Sequence, residues 1–185
     1  MELRDHFLIA MPHLNDGYFS RSVVYICEHN AQGAMGLVLT KTTDLSIAEL
    51  CIKMNFMMAN KRCYSNDLIL AGGPVNLERG FILHTATVQS FENSYKVTDD
   101  VYLTTSADVI ESFGTCDSPQ KYLVALGCAS WSADQLEKEI ANNDWLVVPA
   151  NERILFDVAP DERYLEASML LGIKHYNFTY QAGHC

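Results

Sequence analysis

The segment SVVYICEHNAQGAMGLVL, residues 22–39, decides the fold class of this chain. Its first six residues are mostly β-branched or aromatic, which is the composition that favours a strand. Residues 30–33 (NAQG) supply a turn, and the apolar run at residues 35–39 forms a second strand. This stretch therefore predicts a β-hairpin, and with it antiparallel strand pairing.

Short apolar or β-branched runs elsewhere in the chain predict further strands. They lie at residues 7–10, 68–70, 81–84, 95–97, 101–103, 122–126, 145–148 and 153–156. We expect the strands at 68–70 and 81–84 to pair with each other across the bend between them. The strands at 95–97 and 101–103 are expected to form another hairpin.

Helices are predicted from capping residues that precede apolar positions on one helical face. We expect one helix from Ser46 to Met58, a short one from Thr105 or Ser106 to near Gly114, one that begins at Ser132, and one from Pro160 to Gly172. Strands outnumber helices, and the strands pair as hairpins. The sequence therefore predicts a single α+β domain over residues 1–185.

Composition and charge limit what the chain is expected to bind. Its 185 residues are 49% apolar and 19% charged, as in one folded domain that needs no metal or disulfide. The 23 acidic residues outnumber the 13 Lys and Arg, so we expect no direct binding to nucleic acid or to a membrane surface. No export signal or membrane-spanning run is visible, which indicates a cytoplasmic protein.

The six cysteines are interpreted as free thiols of a reducing compartment. None of them stands in a CxxC pair, and most have apolar neighbours, as in a folded core. Cys128 with a histidine is a conceivable thiol nucleophile, but its apolar context favours an inert thiol. A serine hydrolase is also not indicated, because the GxSxG pattern is missing.

The glycine bend Gly72-Gly73-Pro74 is the first candidate for binding chemistry. It matches neither the P-loop nor the dinucleotide fingerprint, both of which need fixed glycine spacings before a helix. Two interpretations stay open: a tight bend between strands, or a backbone cradle for an anion or small ligand.

Two histidines lie where predicted strands end, and strand ends often present functional side chains. His29 follows Glu28 at the end of the first hairpin strand, and His84 ends the strand after the glycine bend. Either ring is alternatively a hydrogen-bonded structural histidine. No histidine or cysteine pair has the spacing of a metal site, so no metal or other cofactor is expected.

A third candidate is the row formed by Trp131, Gln135 and Glu139, which stand four residues apart. That spacing places them along one helical face. Such a row is suited to line a cleft or a partner surface. In the plainer interpretation Trp131 fills the core and Gln135 completes a helix cap.

These residues together identify a resemblance that runs nearly end to end. The chain resembles the YqgE/AlgH family of bacterial proteins of unknown biochemical function. The resemblance rests on blocks at residues 7–12, 22–30, 33–39, 72–75, 79–84, 135–140 and 145–146, on Trp131, and on the terminal Gly183-His184. Residues 40–42, Cys128, Ser130 and Ser132 depart from the pattern common in the family.

The resemblance implies an α+β fold in which a bent sheet closes into a pseudo-barrel with flanking helices, and a cytoplasmic bacterial protein. It supplies no catalytic residue. Some members are labelled transcriptional regulators, but no helix rich in Arg, Lys, Asn and Gln is visible here. Any regulatory role is therefore expected to be indirect, through a protein or a small molecule.

Two hypotheses on function follow. The first is a non-enzymatic binding or regulatory module for a small molecule or a protein partner. The second is a small hydrolase-like enzyme that uses Arg21, Glu28, His29 and His84 in one cleft. Arg21 is the weakest member of that set, because about seven residues of straight strand, more than roughly 20 Å, separate it from Glu28 and His29.

Overall fold

The computed structural model describes residues 2–14, 17–54, 56 and 67–172. Within these ranges ten strands join into one curled, mainly antiparallel sheet that forms a half-barrel, and four short α-helices accompany it. This architecture confirms the predicted α+β, hairpin-rich fold class. The predictions that concern Met58, Cys63 and Cys185 fall outside the described residues.

Nine of the ten strands follow predicted runs, and several of these are longer than predicted, whereas the strand at Thr42–Ser46 was not predicted. They are β1 (His6–Ala10), β2 (Val23–Asn30), β3 (Gly33–Val38), β4 (Thr42–Ser46), β5 (Leu68–Ala71), β6 (Val75–Thr85), β7 (Ser94–Lys96), β8 (Val101–Thr104), β9 (Tyr122–Ser132) and β10 (Trp145–Pro149). The sheet order is β10-β1-β2-β3-β9-β6-β8-β7, and β4 pairs with β5. The hairpins β2–β3 and β7–β8 are antiparallel, as predicted.

Strand β9 lies between β5 and β6, which corrects the predicted pairing of residues 68–70 with residues 81–84. Leu70 of β5 and Phe81 of β6 are both register partners of Ala125. The β5–β9 pairing is parallel, and the β6–β9 pairing is antiparallel. Strands β5 and β6 therefore each pair with β9, a strand from later in the chain, and do not form the predicted hairpin with each other.

The helices are α1 (Ile47–Lys53), α2 (Asp108–Glu111), α3 (Gln135–Ala141) and α4 (Arg163–Leu170). Helix α1 begins with the predicted capping box, in which Ser46 and Glu49 exchange hydrogen bonds. Helix α3 begins later than predicted, since its N-cap is Asp134. The amide and hydroxyl of Ser132 still donate to Oε1 of Gln135, at 3.0 and 3.1 Å.

The predicted strand at residues 153–156 is wrong. Arg153–Asp157 forms a single π-type turn instead. The side chain of Asn151 accepts a hydrogen bond from the Ile154 amide at 2.9 Å, which stabilises the start of this turn. Ile154 and Leu155 are both buried in the same core cluster, whereas neighbours in a strand would point to opposite faces.

Both faces of the sheet are covered. On one face Phe7 and Tyr25 belong to a core cluster that Tyr164 and Ala167 of α4 complete. On the other face Leu8 and neighbouring alternate residues pack with Trp131, Trp145 and Leu136 of α3. No helix in the described part of the chain has the length and apolar character needed to cross a bilayer.

The bend before β6 packs backbone against backbone on β9. The Gly72 amide donates to the Leu126 carbonyl, and the Gly72 carbonyl accepts from the Val38 amide, both at 2.8 Å. A Cβ atom on Gly73 would lie 1.9 Å from the Cys128 carbonyl carbon. Close approach of the two chain segments is therefore what requires glycine here. The geometry favours the bend interpretation over an anion cradle.

Candidate functional site

His29 lies at the end of β2 with both ring nitrogens engaged. Nδ1 accepts a hydrogen bond from the Leu3 amide at 3.2 Å, and Nε2–H donates to Oε1 of Glu137 at 2.8 Å. Only 5% of the His29 side chain is exposed. The ring of His29 therefore joins the N-terminal segment to α3, as a structural histidine does.

His84 is buried at the other end of the sheet. Its Nδ1–H donates to the Thr85 carbonyl and its Nε2 accepts from the Thr104 hydroxyl, each at 2.8 Å. The ring stacks on Tyr102 at 6.0 Å between centroids. Burial lowers the pKa of His84, so the ring is neutral at physiological pH.

The two histidines are not brought together. Along the paired strands His29 is aligned with Trp131 at one end of β9, while His84 is aligned with Tyr122 at the other end. Strand β9 has 11 residues, or roughly 35 Å of extended chain. The histidine rings share no hydrogen-bond partner among the described residues, so the expected common site is absent from this geometry.

The lowered pKa of His84 predicts acid sensitivity of the fold. Below about pH 6.5 the unfolded chain takes up a proton at this histidine that the folded chain does not. The free energy of unfolding should therefore fall as the pH drops from about 6.5 through the folded pKa of His84. Urea unfolding followed by circular dichroism at pH 7.5 and 5.5 measures this change.

The variant His84→Gln should show a smaller loss of stability between these two pH values than the parent protein. His13→Gln is the matched control, because 56% of the His13 side chain is exposed. An unchanged pH dependence in His84→Gln would show that this ring does not carry the acid response.

Arg21 and Glu28 do not join either histidine in a cleft. Arg21 is exposed before β2, and its guanidinium lies 5.1 Å from the centre of the Tyr164 ring. Glu28 follows a bulge in β2, and its Oε1 accepts from the Asn30 side chain at 2.8 Å. Arg21 thus packs on α4 at the opposite end of β2, as its sequence separation from Glu28 indicated.

Gln135 and Glu139 belong to a structural network. The indole N–H groups of Trp131 and Trp145 both donate to Oε2 of Glu139, at 2.8 and 2.9 Å. The Gln135 amide donates to Oε1 of the same carboxylate at 2.9 Å. Glu139 therefore fixes two core tryptophans. Trp131 lies in β9 and not in α3, so the three residues do not form one helical face, which corrects the prediction from their spacing.

Cysteine chemistry is not favoured by the geometry. Cys27, Cys51, Cys116 and Cys128 are free thiols. Burial raises the pKa of Cys27, Cys51 and Cys128, which keeps these sulfurs protonated and unreactive. Within the described ranges no group of three His, Cys, Asp or Glu is placed to hold a metal ion.

A cavity of about 620 Å³ lies where β5, the first half of β9 and the segment leading into α4 meet. This volume is within the range of small-molecule sites, about 300–1,000 Å³. Its floor includes the buried apolar side chains of Leu70, Val124 and Val158. Its rim includes the exposed residues Asp67 and Asp161. The cavity therefore has an apolar floor and an acidic mouth, and Thr40 and Thr42 add polar groups to its wall.

Arg163 of α4 lies in the wall of this cavity. Only 5% of the residue is exposed, and its Nη1–H donates to the Leu39 carbonyl at 2.8 Å. Its Nε has no hydrogen-bond partner within the described residues. Burial lowers the pKa of Arg163 to about 10, so the guanidinium still carries its charge at neutral pH. A buried charge thus lies in the wall of a cavity with an apolar floor.

Sequence reasoning missed this site. The helix that begins after Pro160 was expected, but Arg163 was not recognised as one of its buried positions. One signal was present: Arg163 stands four residues before the buried Ala167, so both lie on the packed side of α4. The closing of the cavity by β5, β9 and α4 is a long-range arrangement without a local pattern.

Comparisons with known proteins agree on one family. A family model described as AlgH-like matches residues 7–176. A UPF0301 protein from Pasteurella multocida (strain Pm70) is 72% identical over 185 residues, with full coverage of both chains. A UPF0301 protein from Haemophilus influenzae (strain Rd) is 59% identical over 185 residues, covering all of this chain and 99% of its own.

Solved structures show the same fold. The solution structure of the AlgH protein from Pseudomonas aeruginosa is similar with a TM-score of 0.79 and 41% identity, and the match covers 100% of this chain and 97% of that one. A Corynebacterium diphtheriae protein matches with a TM-score of 0.62 over 83% of this chain and 78% of its own. At 21% identity this second match supports the fold alone.

Proposed function

Since this chain belongs to the AlgH-like family, for which the sequence resemblance supplied no catalytic residue, we propose that it is a non-enzymatic cytoplasmic binding module. The cavity beside Arg163 takes a small molecule. The observation that carries this proposal is the combination of an apolar floor with a buried guanidinium in the wall. Convergent polar groups in an apolar concavity are the usual features of a binding site.

The hydrolytic alternative is not favoured. Its candidate residues Arg21, Glu28, His29 and His84 lie in separate places, and each described contact of the two histidines serves the packing of the fold. A general base must reach its proton and its orienting partner within hydrogen-bond distance. The geometry assembles no such group from these four residues.

A regulatory role is part of the same proposal, in an indirect form. The small molecule in the cavity, and not contact with DNA, provides the signal. The net charge of -10 supports this view, because phosphate contacts need clustered Lys and Arg. Helix α4 connects the cavity to β1, where the Tyr164 hydroxyl donates to the Ala10 carbonyl at 2.9 Å.

Protein-observed NMR with a fragment library of neutral, anionic and cationic members tests the binding function. We expect amide shifts to be confined to the residues that line the cavity, such as Leu70, Leu123 and Val158. The variant Ala159→Trp places a large ring at the exposed rim and should abolish those shifts.

Ala31→Trp is the matched control, since Ala31 is an exposed alanine in the β2–β3 turn. It should leave fragment binding unchanged. Shifts that survive in Ala159→Trp, or that map to the α3 face of the sheet, would refute the cavity as the binding site.

A further inference from the structure

The charge of Arg163 has no counter-ion among the described residues. Two acidic residues near α4 are paired with other cations, Glu166 with Arg153 and Asp157 with Lys121 at 2.7 Å. Neither Asp161 nor Glu162, which precede Arg163 in the chain, forms an ion pair with its guanidinium. In the parts of the sequence that the structure does not describe, Asp16 is the one acidic side chain. The guanidinium is therefore held by a neutral carbonyl alone within the described chain.

A buried cation without an anion is energetically costly. Removing an ion from water costs several kcal/mol even after relaxation, and pairing with an opposite charge offsets part of that cost. Arginine is also the side chain whose planar N–H groups match a carboxylate. An anionic group entering the cavity at Arg163 would supply the missing charge.

The rest of the cavity limits the ligand further. Leu68, Phe156 and Val158 offer apolar surface to a hydrocarbon body. Asp67 and Asp161 at the rim disfavour a second negative charge at the outer end of the ligand. Nucleotides and other polyanions fit this charge distribution poorly.

From these three observations we propose that the cavity binds a monocarboxylate with a short apolar body, its carboxylate at Arg163 and a neutral or cationic outer end at the rim aspartates. This inference rests on the proposed binding function and names the chemical class of its ligand. The contact would occupy the side of the guanidinium that Leu39 does not use.

Three six-carbon compounds test the assignment: hexanoate, 1-hexanol and hexanedioate. Hexanoate should bind at least about tenfold more tightly than 1-hexanol, because a hydrogen bond to a charged group contributes about 1.5–3 kcal/mol. Hexanedioate should bind more weakly than hexanoate. Hexanoate, but not 1-hexanol, should shift the side-chain N–H resonance of Arg163 in the ¹H–¹⁵N spectrum.

Variants of Arg163 distinguish the contribution of its charge to hexanoate affinity from that of its packing. Arg163→Met should reduce the affinity for hexanoate to that for 1-hexanol, while Arg163→Lys retains part of the preference. If Arg163→Met does not fold, Asp161→Asn at the exposed rim still tests the proposed orientation of the ligand. This variant should raise the affinity for hexanedioate relative to hexanoate. Asp16→Asn is the control for the remaining acidic residue and should leave the preference unchanged.

The outcomes distinguish the two proposals. Equal affinity for hexanoate and 1-hexanol in the cavity would overturn the carboxylate assignment and leave the binding function standing. A carboxylate preference that increases in Asp16→Asn, as expected if Asp16 already neutralises Arg163, or that survives in a folded Arg163→Met protein, would also overturn the assignment. If none of the three compounds shifts cavity resonances at high millimolar concentration, the carboxylate assignment is wrong, and the binding function is wrong as well if the fragment library also produces no shifts there.

Discussion

Replacing Gly73 by alanine should destabilise the protein by at least about 3 kcal/mol, the upper end of the usual cost of overpacking. The new Cβ would lie 1.9 Å from the carbonyl carbon of Cys128 and 2.1 Å from its oxygen. Both are backbone atoms, which no side-chain rotation can move away. The β5–β6 connection must therefore separate from β9, and the two strand pairings that meet there weaken together.

Gly80→Ala is the matched control for this prediction. A Cβ on Gly80 has nothing within 4 Å, although the residue lies in β6 opposite the same strand β9. This substitution should be neutral or stabilise by up to about 1 kcal/mol, because glycine in a strand interior is entropically unfavourable. Urea unfolding followed by circular dichroism compares the variants. Equal midpoints for both alanine variants would contradict the close-packing argument.

The second large effect is expected at Glu139. In Glu139→Ala the indole N–H groups of Trp131 and Trp145 lose their common acceptor, and these two residues are 5% and 2% exposed. An unsatisfied buried donor costs about 1–3 kcal/mol, so we expect a loss of about 3 kcal/mol in the free energy of unfolding. The network around α3 and β10 should loosen first.

Tryptophan emission reports this change directly, because the chain contains two tryptophans and both donate to Glu139. Glu139→Gln keeps one carbonyl acceptor and should lose roughly half as much stability. Lys138→Ala, which shortens an exposed side chain next to Glu139 on α3, is the positional control and should leave the emission spectrum near that of the parent. A stable Glu139→Ala protein with unchanged emission would argue against the shared acceptor.

Local signals account for the part of the fold that the sequence predicted. The β2–β3 hairpin follows from one turn between two strand-forming runs, and the α1 capping box from Ser46 and Glu49. Both involve residues a few positions apart. The insertion of β9 between β5 and β6 involves strands separated by dozens of residues. If the later strand β9 is not considered, the bend Gly72-Gly73-Pro74 looks like the turn of a local hairpin.

The candidate site was less predictable for the same reason. The spacing of Trp131, Gln135 and Glu139 was visible, but Trp145, the second indole donor, comes from a different strand. The residues around Arg163 in the sequence do not mark it as buried. Its burial in the wall of the cavity that β5 and β9 also line is what makes it a candidate binding residue. Charged residues are mostly exposed, so sequence alone favours a solvated arginine at that position.

The position of β1 has a consequence for synthesis on the ribosome. β1 pairs with β2 on one side and with β10 on the other, where His6 is aligned with Pro149. At typical elongation rates the chain between these strands takes on the order of ten seconds to emerge. Throughout that interval the outer edge of an apolar strand has unpaired backbone groups, a template for wrong pairing. We therefore expect nascent chains of this protein to need protection of that edge until β10 leaves the exit tunnel.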